Sequence, residues 1–150
     1  MRLFFALWPP PETAQALARW AGALKGRPTA AEKIHLTLAF LGEADAAAAE
    51  AAGRAASAPA FDLPIETAGY WRHNRIVWAG PTETPLLLQN LSNSLKTESR
   101  PFAAHVTLLR QAPPPGPLPP LPAVRWPVRE FALVKSDYAA YETLVRFPLH

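Results

Sequence analysis

The chain has 150 residues, the usual size of one compact folded unit, and its 49% hydrophobic against 18% charged content excludes a disordered polyelectrolyte. Fifteen Lys and Arg against twelve Asp and Glu leave a net charge of +3, which favours anionic partners but is too mild for indiscriminate coating of nucleic acid. The absence of cysteine excludes disulfides, thiolate catalysis and Cys-ligated metal centres.

Residues 2–8 (Arg2-Leu3-Phe4-Phe5-Ala6-Leu7-Trp8) spell a short aromatic-rich strand that Pro9, Pro10 and Pro11 stop. This apolar run is too short for a secretion signal, and nowhere do about 20 apolar residues follow one another to span a membrane. The expected location is the cytoplasm. Pro11 and Glu12 suit a helix start, Ala14, Leu17, Ala18, Ala21 and Leu24 keep helical spacing, and Gly26 suits the position just past the end. A strand is expected over 33–41, ended by Gly42, and then an Ala-rich helix over 45–57 with Asp45 as N-cap.

Residues 61–70 and 75–79 read as two strands joined by a turn through 71–74, with Pro64 marking the first as an edge or bulged strand. Leu88, Leu91 and Leu95 give residues 85–98 one apolar helical face, and a strand follows at 103–110. Seven prolines and one glycine make 112–122 a loop or polyproline stretch, suited to spacing and edge cover. Strands near 124–135 and 141–147, joined by a hairpin through 136–140, complete the order β-α-β-α-β-β-α-β-loop-β-β. Such mixing predicts an α+β fold rather than a doubly wound parallel sheet. Two strands after the proline stretch are too few for a domain of their own, so residues 1–150 are expected to form a single domain with two lobes.

One internal echo carries the chemistry. Ile34-His35-Leu36-Thr37-Leu38 recurs 70 residues later as Ala104-His105-Val106-Thr107-Leu108. Residues two apart on a strand share a face, so His35 goes with Thr37 and His105 with Thr107, while Leu36, Leu38 and Phe40, like Val106 and Leu108, point into core. A single His-x-Thr is a commonplace; two copies among four histidines, each in an apolar strand, are not. Imidazole titrates near neutrality, so one ring can accept a proton from a nucleophilic water while the other donates one to a departing oxygen. Each threonine hydroxyl can bond a non-bridging phosphate oxygen as charge builds there. Side by side, the four groups form a cradle for transfer at phosphorus that needs no metal and no cofactor.

The paired motif resembles that of the 2H phosphoesterase superfamily, and the chain is most similar to its RNA 2′,3′-cyclic phosphodiesterase branch, also named 2′-5′ RNA ligase. The likeness extends over residues 2–10, 34–42, 75–80 and 105–110 and the closing 141–149 stretch. It implies a bilobal α+β fold with two pseudo-symmetric antiparallel sheets, flanked by helices, around a central cleft holding both motifs. It implies hydrolysis of RNA 2′,3′-cyclic phosphate ends to 2′-phosphate ends, with tRNA fragments among the substrates and reversible 2′-5′ ligation in some members. By resemblance His35 is the proton donor and His105 the proton acceptor, with Thr37, Thr107 and Arg110 on the phosphate. The expected partner is RNA, with no membrane, no metal and a monomeric chain. Two departures stand out: Ala104 replaces the family's usual proline before the second histidine, and the 112–122 segment is short and proline-dense.

Strict alternation turns Arg110 away from His105, so it reaches the phosphate only if the strand ends or bulges near Leu109. Arg72, His73 and Arg75, with Tyr70 and Trp71, are either a basic aromatic grip on single-stranded RNA or a solvated turn, and the turn is the plainer reading. Lys33, expected on the face of His35, either aids phosphate binding or marks the strand edge; Trp8, Trp78, Trp126, Phe40 and Phe102 are expected in core; His150 is expected to be inert. Glu32 and Glu43 keep a histidine metal site open, although two histidines make a poor zinc set. An RNA-end binding module with little catalysis, and a phosphodiesterase for a small cyclic nucleotide or a 2′-5′ oligonucleotide, are the alternative functions.

Overall fold

In the computed structural model, which describes residues 1–138 and 140–150, the two echoed segments lie at the centre of an antiparallel sheet. The order is β1 (Arg2–Leu7), α1 (Pro11–Gly22), β2 (Arg27–Pro28), a 3-10 turn (Ala31–Lys33), β3 (Leu36–Glu43), α2 (Ala46–Ala55) and β4 (Phe61–Asp62). β5 (Thr67–Trp71), β6 (Ile76–Gly80), α3 (Leu86–Leu95), β7 (Val106–Arg110), β8 (Pro127–Val128), β9 (Glu130–Asp137) and β10 (Ala140–Pro148) follow. The strands run β10-β9-β1-β3-β7-β6-β5 across the sheet, with β2 added to β7; β4 and β8 make a separate small ribbon. The halves β10-β9-β1-β3 and β7-β6-β5 meet through one residue pair, Leu36 with Val106.

Local chemistry explains the helices. α1 starts with Pro at its first position and Glu12 in its first turn, and it buries Ala14, Leu17 and Ala21. In α2 the Asp45 carboxylate accepts the Ala48 N–H at 3.1 Å. α3 buries Leu88, Leu91, Ser92 and Leu95. The helices cross over: α3 packs on β3, and α1 packs on β7. Alternate residues of β1 split between two faces: Leu3, Phe5 and Leu7 enter the main core, while Phe4 and Ala6 join Ala132 and Val134 in a small cluster on the other side. The 112–122 segment is irregular and tied down, with Trp20 Nε1 donating to the Pro120 carbonyl at 2.9 Å and Tyr70 Oη to the Ala112 carbonyl at 2.7 Å. Among the described residues no helix is long and apolar enough to cross a membrane.

Two symmetric irregularities set the site. Along β1–β3, Phe5 pairs with Ala39 and Ala6 with Thr37, so Leu38 is an extra residue. Along β6–β7, Val77 pairs with Leu109 and Trp78 with Thr107, so Leu108 is extra. Each bulge buries two successive side chains, Leu38 with Ala39 and Leu108 with Leu109, and reverses the alternation beyond them. The displaced carbonyls are satisfied from outside the ladder: Leu38 takes the Ser92 hydroxyl at 2.7 Å and Leu108 the Thr29 N–H at 3.0 Å.

Several expectations are corrected. Phe40 is not core: the Leu38 bulge turns it outward, and it is 62% exposed. The strands begin at Leu36 and Val106, so both histidines precede them, because pairing across the centre stops after one residue pair. Lys33 ends the 3-10 turn instead of extending a strand. α1 stops at Gly22, because the segment through Gly26 (φ +143°) delivers β2 to the edge of β7. Residues 61–70 divide into β4 and β5 around Pro64, Trp71 ends β5 instead of starting the turn, and the strand sought near 124 begins at Glu130. The hairpin connection through 136–140 includes Ala139, which lies outside the described residues.

Ser92→Ala removes the partner of the Leu38 carbonyl at a fully buried position. Urea unfolding should show a loss of about 1–3 kcal/mol, the cost of an unsatisfied buried acceptor.

Candidate active site

Where β3 and β7 diverge, a cleft of about 790 Å³ opens on the face opposite the main core, and His35, Thr37, His105, Thr107 and Arg110 all line it. The two halves hold their rings by the same backbone bond. His35 Nδ1 donates to the Lys33 carbonyl at 2.7 Å, and His105 Nδ1 donates to the Ala103 carbonyl at 2.7 Å. A carbonyl can only accept, so each Nδ1 carries hydrogen and Nε2 is the atom left for chemistry. The Thr37 hydroxyl donates to His35 Nε2 at 3.1 Å.

Aromatic side chains back both rings. Phe4, Trp8 and Tyr141 stand 5.2, 5.3 and 5.3 Å from His35, centroid to centroid. Trp71 meets His105 edge-on at 4.6 Å and is itself packed on Trp78 at 5.3 Å. Burial therefore lowers the pKa of both histidines below the ordinary 6.5; their carbonyl bonds oppose the shift, and the Arg110 charge adds to it. For His35 the neighbouring His105 lowers it further, so double protonation is disfavoured. The pair holds one proton more readily than two.

The bulge at Leu108 is what turns Arg110 into the cleft, five residues after His105. Phe40 occupies the matching place five residues after His35 and lines the same cleft. Sequence reading missed Phe40, Phe4, Tyr141 and the cations Arg2, Arg27 and Arg100, and it placed Trp71 in the turn instead of beside His105; for Phe40 the signal was its place in the repeat. Five basic side chains line the cleft against one acidic, Glu98, so the mild net charge of the chain is concentrated here. Arg72, His73 and Arg75 do not line it. Glu43 pairs with the Met1 ammonium at 3.0 Å, and among the described residues no group of three or more His, Asp or Glu is arranged to hold a metal.

Two imidazoles with Nε2 free of a backbone partner, two hydroxyls and an arginine along one cleft have the chemistry to exchange protons beside an anionic group. Comparisons agree. The family model for LigT-like phosphoesterases matches residues 7–78. The chain is 38% identical to the RNA 2′,3′-cyclic phosphodiesterase of Escherichia coli K12, over 95% of this chain and 90% of that protein. It is 29% identical to the Thermus thermophilus protein of the same name, over 99% and 90%. The apo crystal structure of Escherichia coli LigT superimposes with a TM-score of 0.93, at 36% identity over 99% and 96% of the two chains. The chain belongs to the LigT-like phosphoesterase family, within the 2H phosphoesterases.

Both histidine pKa values lie below the unfolded value, so the unfolded chain takes up protons first as pH falls. The stability held at neutral pH is lost as pH drops through about 6.5 toward the folded values. Urea unfolding should show a decline between pH 7 and 5.5, and a His35→Asn/His105→Asn variant should decline less over that window.

Proposed function

We propose that this chain hydrolyses 2′,3′-cyclic phosphate ends of RNA to 2′-phosphate ends, as an enzyme acting through His35 and His105. The observation that carries this reading is the pair of equivalent His-x-Thr units in one basic cleft, each ring held by Nδ1 with Nε2 inward. The relatives, RNA 2′,3′-cyclic phosphodiesterases, supply the substrate class.

In the proposed reaction, His105 Nε2 takes a proton from water as its oxygen attacks phosphorus. The P–O3′ bond breaks, and His35 Nε2 delivers its proton to the leaving 3′ oxygen. The Thr37 and Thr107 hydroxyls and the Arg110 guanidinium hold the non-bridging oxygens, whose charge grows in the transition state. The same step with an RNA 5′-hydroxyl in place of water forms a P–O5′ bond as P–O3′ breaks and gives a 2′-5′ linkage, and its reversal opens one. The scheme routes no step through a metal, treats residues 1–150 as one catalytic unit acting as a monomer, and suits an RNA-processing role in the cytoplasm.

A short RNA ending in a 2′,3′-cyclic phosphate, incubated with the protein and EDTA, should yield a 2′-phosphate end. His35→Ala and His105→Ala should each lower kcat by about 10²–10⁴; near wild-type turnover in either sinks the two-histidine reading. Replacing the 3′ bridging oxygen by sulfur gives a leaving group that needs no proton. On that substrate His35→Ala should regain much of its loss and His105→Ala should not; the reverse would exchange their roles.

The sign of the pKa shifts predicts the pH profile. Activity needs one ring neutral and the other charged, and both rings release protons below the ordinary 6.5. The bell-shaped profile of kcat/KM should therefore peak below pH 6.5 and fall above it as the donor loses its proton.

A further inference from the structure

The cleft carries more positive charge than one phosphate takes up. Arg100 lies 3.3 Å from Glu98, and the Lys33 ammonium sits 5.9 Å above the Tyr141 ring. Of the other three cations, two stand opposite one another: Arg27 of β2 pairs with Arg110 of β7, and neither joins an ion pair among the described residues. Like charges directly across an antiparallel pair repel, so this pairing is unfavourable in the empty protein.

The backbone nevertheless enforces it. Gly26 adopts φ +143°, which side-chain-bearing residues rarely do, and a Cβ there would stand 3.1 Å from Ala112 Cβ and 3.2 Å from the Arg110 carbonyl oxygen. On the other side of β2, the Thr29 N–H donates to the carbonyl of the bulged Leu108. The strap is thus fixed at both ends, with Arg27 exposed on the cleft wall. Arg110 is near enough to depress the proton affinity of both histidines, whereas Arg27 stands one strand further out. The two guanidiniums therefore face different points along any strand lying in the cleft.

We propose that Arg27 forms a second phosphate subsite, which takes the phosphodiester on the 5′ side of the terminal nucleotide while Arg110 stays with the cyclic phosphate. The inference rests on the RNA-end reading and deepens it: the enzyme acts on oligonucleotide ends in preference to free nucleoside cyclic phosphates. A phosphate on each arginine offsets both charges, so the strap that is costly in the empty cleft becomes favourable in the occupied one.

The test compares adenosine 2′,3′-cyclic phosphate, the same compound with a 5′-phosphate, and the dinucleotide ApA with a 2′,3′-cyclic end. Wild-type kcat/KM should rise roughly tenfold or more on adding the 5′-phosphate, the value of one charge-assisted contact. Arg27→Gln should remove most of that rise, mainly through KM, and Arg27→Lys should restore part of it. Arg54→Gln, a charge control outside the cleft, should leave the ratio between substrates as in wild type. No rise in wild type, or a rise that survives in Arg27→Gln, overturns the subsite. If the wild type opens none of the three compounds, the RNA-end reading fails separately. Fluorescence anisotropy with a labelled trinucleotide ending in a 2′-phosphate then decides the subsite by itself. Arg27→Gln should weaken binding and reduce the slope of log K against log[salt] by about 0.7, and an unchanged slope and affinity refute it.

Discussion

The site exists because two strands stop pairing. β3 and β7 share only the Leu36–Val106 pair, and upstream of it the backbones part. Had the ladder continued, the carbonyls of Lys33 and Ala103 would have been open to backbone partners. Instead each accepts from a histidine Nδ1, which fixes the tautomer and points Nε2 into the gap. The register of that one pair also puts Thr107 on the His35 side of the junction and Thr37 on the His105 side. One bridging pair thus sets the width of the cleft, the protonation pattern of both rings and the nearness of all four motif side chains.

The second constraint is the pair of bulges. A regular strand would alternate from His105 to Arg110 and bury the guanidinium or turn it away. The extra residues Leu38 and Leu108 cost a ladder hydrogen bond each, and outside donors, Ser92 and the Thr29 backbone, compensate. Those donors come from segments that cross between the halves, since α3 packs on β3 and α1 on β7. The geometry of the cleft and the packing of the core are therefore coupled, and each lobe helps to shape the other's motif.

Much of this was legible in the sequence, for physical reasons. The histidine–threonine pairs announced themselves through spacing and apolar flanks, and the helices through leucine periodicity and the Asp45 cap. The condition under which Arg110 reaches the cleft, a bulge near Leu109, was also readable, because alternation makes a definite statement that a bulge must break. What could not be read was where bulges fall: nothing in Leu38-Ala39-Phe40 distinguishes it from a regular strand, and so Phe40 was placed in the core. The contact of Trp71 with His105 could not be read, because it depends on β5 and β7 flanking β6, which is a long-range fact. The short strand β2 carries no local signal either, since two residues held by one neighbour have no periodicity.

The equivalence of Phe40 and Arg110 has a consequence for substrate polarity. A cleft with exact twofold symmetry would accept a phosphate in two poses related by a half turn, and the ring that meets one bridging oxygen in the first pose would meet the other in the second. Half of all encounters would then be in the reversed pose. Placing an aromatic ring on one side of the dyad and a guanidinium on the other lifts this degeneracy. The two matched histidines follow from the symmetry of the fold, and the difference between Phe40 and Arg110 gives the cleft a direction.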